Sequence, residues 1–205
     1  MQPLSESLPS EAEEAFYNTA LDLIAAHHLS EAARLLEAAL ELGADQSRLG
    51  ELLGLCRFSL GDFAAAQRAW RCSVAAGGAD SPSARYLNNL ASTDFTEYTA
   101  RFNACLDRAA QGQILPALLR LWPALETLPN LASWNLAGLF LYQLGLKKSA
   151  ARLWKQVLTQ DRSNAMATYY LTQGKIGFLP YWIEKAIWEV LLQCGKISVI
   201  MKFSG

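Results

Sequence analysis

Histidine is nearly missing from this chain, its cysteines never pair as C-x-x-C, and β-branched residues are sparse before residue 176. The two histidines, His27 and His28, are adjacent, so their side chains diverge and offer a poor basis for a metal site. Cys56, Cys72, Cys105 and Cys194 lack the spacing of a zinc knuckle or a disulfide framework and read as buried thiols. No alternating strand pattern with hairpin turns is present, so almost no sheet is expected before residue 176. No apolar run approaches the roughly 18 residues of a membrane span. The opening MQPLSESLPSEAEE is polar and acidic where a secretory leader needs a basic start and an apolar stretch, so the expected compartment is the cytoplasm.

Charge of one sign is also lacking. Lys and Arg number 18 against 19 Asp and Glu, a net charge of −1, and no basic run could neutralise a row of phosphates. Nucleic acid is therefore a disfavoured partner. G-x-S-x-G, H-E-x-x-H and the full G-x-x-x-x-G-K-[ST] loop are all missing, and Gly174-Lys175-Ile176-Gly177 resembles the last only in composition. Glu11, Glu13 and Glu14 cluster in the opening turn of the first helix, where they complement the positive end of the helix dipole as a solvated face. No catalytic residue, metal ligand or cofactor is expected.

What is present is a repeat. The chain has 205 residues, 52% hydrophobic and 18% charged, enough for one compact domain or one short repeat array. Ala20, Gly54, Cys105 and Gly138 are separated by 34, 51 and 33 residues. The same separations relate Ala32, Ala66, Ala117 and Ala150, then Leu36, Trp70, Leu121 and Trp154, then Ala39, Ser73, Ala124 and Val157. Between the small-residue and large-residue positions stand corners at His27-His28, Gly61-Asp62, Gly112-Gln113 and Gly145-Leu146, where a helix must end in a left-handed residue before the chain turns back. Apolar residues recur on either side at three- and four-residue steps, so each unit is an antiparallel helix pair.

The gap of 51 residues holds an insertion over roughly Asp80 to Thr96. Asp80-Ser81-Pro82 reads as a helix start, and Asp94-x-x-Glu97 as the capping pair that opens the next helix. A shift of 84 superposes Leu52 on Leu136, Gly54 on Gly138, Gly61 on Gly145, Trp70 on Trp154 and Tyr86 on Tyr170. The insertion is then a short closing helix, and a module of two helix pairs plus that helix is used twice.

A period near 34, with an aromatic at the fourth position, small residues at the eighth, twentieth and twenty-seventh and a large apolar residue at the twenty-fourth, resembles the tetratricopeptide repeat. The unit from Trp134 through Gly138, Gly145, Ala150 and Trp154 to Asp161 carries the pattern best, although Gly50 and Arg101 stand where an aromatic belongs and Pro123 falls inside a second helix. The resemblance implies an all-α, right-handed superhelical solenoid of about four repeats. Helix pairs are expected at 12–45, 46–79, 97–130 and 131–164, with an extra helix at 80–96 and a closing helix at 165–173. An apolar capping helix and tail would follow at 174–205, the alternative being that this segment lies in the concave groove as a plug.

The resemblance further implies that the first helix of each pair lines a concave wall. Those positions are Tyr17, Leu21 and Ile24, then Leu52, Leu55 and Phe58, then Phe102 and Leu106, then Leu136, Leu139 and Tyr142, an apolar series interleaved with Asn18, Asn103, Asn135 and Gln143. A groove of this kind takes an amphipathic helix or extended segment; the competing reading packs the same side chains against neighbouring helices. A carboxylate clamp for acidic tails is not expected, because only Arg48 and Arg101 stand near the wall. The expected function is a protein-interaction module, adaptor or chaperone-like, binding an apolar segment of another protein or peptide. The alternatives are a scaffold that self-associates through residues 178–205, where Trp182, Ile183, Ile187, Trp188, Val190 and Leu191 need cover, or a regulatory subunit of an enzyme. A membrane surface fits that segment least, since Glu184, Lys185 and Glu189 give no basic face.

Overall fold

The computed structural model describes residues 8–173. Among these residues the chain is all-α, with no strand: α1 (Ser10–Ala25), α2 (Leu29–Glu41), α3 (Gln46–Leu60), α4 (Phe63–Gly77), α5 (Pro82–Asn89), α6 (Thr93–Ala110), α7 (Ile114–Thr127), α8 (Leu131–Gln143), α9 (Lys147–Gln160) and α10 (Ala165–Gln173). The helix expected beyond residue 174 lies outside the described residues.

Local chemistry sets most of the boundaries. Asp45, Asp62, Ser92 and Asn130 each accept a backbone N–H at the start of α3, α4, α6 and α8. Gly61, Gly112 and Gly145 take φ of 89°, 74° and 80° at the expected corners, and His27 takes 62° at the corner that has no glycine. Pro82 opens α5 behind Ser81 as the sequence predicts. The cap of α6 differs from expectation. Ser92 supplies it, accepting from the Phe95 N–H at 3.3 Å. Asp94 sits in the first turn of α6, and Glu97 instead pairs with Arg101 one turn on. The acidic turn of α1 is likewise more than a solvated face. Glu13 accepts the Asp45 N–H at 2.8 Å, and Glu14 holds Arg48 at 3.0 Å while that guanidinium lies 4.3 Å from the centre of the Tyr17 ring. The Glu14 hydrogen bond raises the Arg48 pKa.

Each helix packs mainly along a neighbour in sequence, and α3 also meets α5 and α8. Small residues let paired helices approach: a Cβ at Gly54 would overlap the Trp70 indole, and one at Gly138 the Trp154 indole. The indole N–H groups then donate to the Glu51 carbonyl at 3.2 Å and the Asn135 carbonyl at 3.3 Å. Tyr86 lies against Trp70 at 5.1 Å and Tyr170 against Trp154 at 4.8 Å, so α5 and α10 close their helix pairs in the same way. Two apolar cores result. One joins α1, α2, α3 and Ala69 of α4 around Leu36, Leu49 and Leu53. The other runs from Phe63 to Tyr170 around Trp70, Tyr98, Leu121, Phe140 and Trp154. Leu29 and Leu60 touch both. Among the described residues, no helix is long and apolar enough to cross a membrane.

Candidate interaction surface

The expected wall divides into three groups. Phe102, Leu106 and Leu136 are buried within the larger core and cannot meet a guest, because α6 and α8 turn these positions onto their neighbours. Leu55, Phe58, Leu139 and Tyr142 are half-buried and rest on that same core. Tyr17, Ile24 and Leu52 are half-buried against the smaller core, and Leu21, 40% exposed, rests on neither. Tyr17, Leu21 and Ile24 follow at steps of four and three, so they share one face of α1. The polar partners divide too. Asn18 and Gln143 are exposed, Asn103 is half-buried, and Asn135 is buried, with its Nδ2 donating to Asn164 Oδ1 at 3.2 Å and its Oδ1 without a partner.

The arrangement of the wall is governed by a feature that repeat register does not reveal. The corner between α1 and α2 docks on the loop between α9 and α10. Ser30 donates through its hydroxyl to Asp161 Oδ2 at 2.5 Å and through its N–H to Asp161 Oδ1 at 3.2 Å. The Glu31 N–H donates to Ser163 Oγ at 3.2 Å, and the His27 carbonyl accepts the Arg162 N–H at 2.6 Å. Asp161 is fully buried and also accepts from the Ser163 N–H, the Ser163 hydroxyl and Asn164 Nδ2. His28 gives α2 no side-chain cap, so Asp161 and Ser163 serve as that cap from more than 130 residues along the chain.

A second contact repeats the first one step inward. Gly61, at the α3–α4 corner, lies so close to Asn130 and Ala132 at the start of α8 that a Cβ would overlap both. His27 and Gly61 are 34 residues apart, as are Asn130 and Asn164. Corner one thus meets the loop after the fourth pair, and corner two the loop after the third. Asn130 caps α8 through the Ser133 N–H at 2.9 Å and donates to the Tyr98 hydroxyl at 2.8 Å. Beside it, Gly61, Tyr98, Thr99 and Phe102 line a cavity of about 10 Å³, room for one water and nothing larger.

An apolar face on α7 went unread in the sequence. Leu115, Leu119 and Trp122 are 53%, 66% and 43% exposed, at steps of four and three along one side of the helix. The signal was available: Ile114-Leu115-Pro116-Ala117-Leu118-Leu119 is apolar on every side, and a helix apolar all round is ordinarily covered.

Chemistry beyond packing finds few groups. Burial pushes the Cys56 thiol up to about 11 and the Cys105 thiol up to about 12, so neither is a nucleophile near neutral pH, while Cys72 is exposed. Among the described residues, no three His, Cys, Asp or Glu side chains gather as a metal site. Comparison of the chain with family models, curated proteins and solved structures finds no match.

Proposed function

We propose that this chain is a tetratricopeptide-like helical array that works in the cytoplasm as a protein-interaction module, an adaptor or chaperone-like scaffold without an active site of its own. The observation that carries the reading is Leu21, an exposed leucine resting on neither core, flanked on the same face of α1 by half-buried Tyr17 and Ile24. Leu52 on α3, and Leu55, Phe58, Leu139 and Tyr142 beside the larger core, extend the apolar surface available to a guest. Binding would come from excluding water around apolar partner side chains, at about 25 cal/mol per Å² buried. A preformed helical surface keeps the ordering cost low. The repeat spacing and the two matched Gly–Trp packings support the family resemblance.

The test is a selection of amphipathic helical peptides from a displayed library against the full chain. Binders that lose affinity at least 10-fold on Leu21→Asp, with helical circular dichroism unchanged, support the reading; binders indifferent to Leu21→Asp and Leu52→Asp refute it.

Self-association is a second reading, and the exposed Leu115, Leu119 and Trp122 on α7 favour it. Sedimentation of the full chain decides: a dimer that Leu119→Asp converts to monomer supports it, and a monomer at every concentration removes it.

A further inference from the structure

The contact between the α1–α2 corner and the α9–α10 loop is built unlike the rest of the molecule. Neither α1 nor α2 packs extensively along α8, α9 or α10. Across the seam run the hydrogen bonds to Asp161 and Ser163 and that of the Arg162 N–H to the His27 carbonyl, beside Leu29, which touches both cores. The charge at its centre would regain solvation, since the donors around the buried Asp161 carboxylate are amides and hydroxyls rather than a cation. The carbonyl that accepts Arg162 belongs to His27, a non-glycine residue held at φ 62°. A seam made largely of hydrogen bonds to one buried carboxylate, which regains solvation on opening, is one the molecule can release without unfolding.

We infer that the Ser30–Asp161 contact is a latch, holding the first helix pair against the fourth, and that its release parts the two ends of the array while both cores stay folded. If the interaction-module reading holds, the latch sets access to the half-buried Leu55, Phe58, Leu139 and Tyr142, and a guest binds the open form. Such regulation is a population shift between a closed and an open array.

Hydrogen exchange of the full chain, read by NMR at the Ser30, Glu31 and Arg162 amides, tests it. These three N–H groups donate across the seam, that of Glu31 shared with the His28 carbonyl at 3.1 Å. In the latch, they exchange together and faster than the interior amides of α8 and α9. Ser30→Ala accelerates them about 10-fold, the effect of one lost hydrogen bond to a charged group. Ser30→Asp accelerates them further, because it places a second carboxylate on Asp161 while an acid in the first turn suits α2 itself. Interior amides of α3, α4, α8 and α9 are unchanged in both variants. Acceleration spread over all helices in either variant, or no change at the three amides in both, overturns the latch. Anilinonaphthalene sulfonate fluorescence on Ser30→Asp tests the groove separately. A rise supports both readings; an opened seam with no rise leaves the latch standing and removes the groove.

Discussion

The Trp154 indole fills the space over Gly138, as the Trp70 indole fills the space over Gly54 84 residues earlier. Each pair lets two helices approach at one point and closes the gap with a large aromatic, and each ring donates its N–H to a first-helix carbonyl. Because the overlap involves a fully packed ring, Gly54→Ala and Gly138→Ala are expected to destabilise the protein by about 1–3 kcal/mol each, the range for overpacking a core. Urea denaturation followed by circular dichroism measures this. Equal losses at the two sites are the expected outcome, and a loss near zero at either contradicts the packing described.

The corner glycines separate strain from contact. Gly61, Gly112 and Gly145 all have positive φ, but only Gly61 has neighbours, Asn130 and Ala132, where a side chain would stand. Replacing Gly112 or Gly145 by Ala carries only the backbone term, about 1 kcal/mol. Gly61→Ala adds the clash and should cost about 1–3 kcal/mol more. Thermal melts of the three variants give the order: Gly61→Ala melts well below the other two.

Much of this was legible in the sequence, because the relevant forces are local. Glycine spacing predicted the corners, the Asp80-Ser81-Pro82 signal located α5, and the spacing of small and large residues identified which positions meet across a pair. The cap of α6 was misread because Ser92 and Asp94 are both good caps, and only backbone geometry chooses between them. The wall was legible only in part. Periodicity gives the apolar face of a helix but not what covers it, so Phe102, Leu106 and Leu136 were read with Leu21 although they are core. The closure through Asp161 could not be read, since Ser30 and Asp161 lie 131 residues apart and repeat register does not say which corner meets which loop.

The buried Asp161 is also expected to carry stability. Asp161→Ala strands the Ser30 and Ser163 donors and removes the trans cap of α2, a loss of about 2–4 kcal/mol for hydrogen bonds to a charged group together with a cap. Ser163→Ala, which keeps the carboxylate, should cost about 1 kcal/mol. Chemical denaturation of both variants checks the ranking. A smaller loss for Asp161→Ala than for Ser163→Ala would mean that the carboxylate is solvated in the native state.

The buried thiols make stability fall in alkali. Cys56 and Cys105 are raised by burial from 9.0 to about 11 and about 12, so in the folded protein they remain protonated while the unfolded chain begins to ionise near pH 9. Their contribution is fully present below pH 9 and is lost as pH rises through the folded values, because above pH 9 the unfolded state binds fewer protons than the native state. The slope approaches about 1.4 kcal/mol per pH unit for each thiol over pH 9–11. Cys56→Ala and Cys105→Ala should each flatten the alkaline limb of a pH–stability curve from urea titrations, whatever their cost near neutrality. In the native protein at pH 8, a thiol reagent should modify exposed Cys72 while sparing Cys56 and Cys105 until denaturant is added. Rapid native labelling of Cys105 would show that the core around Tyr98 and Leu121 opens far more readily than its packing implies.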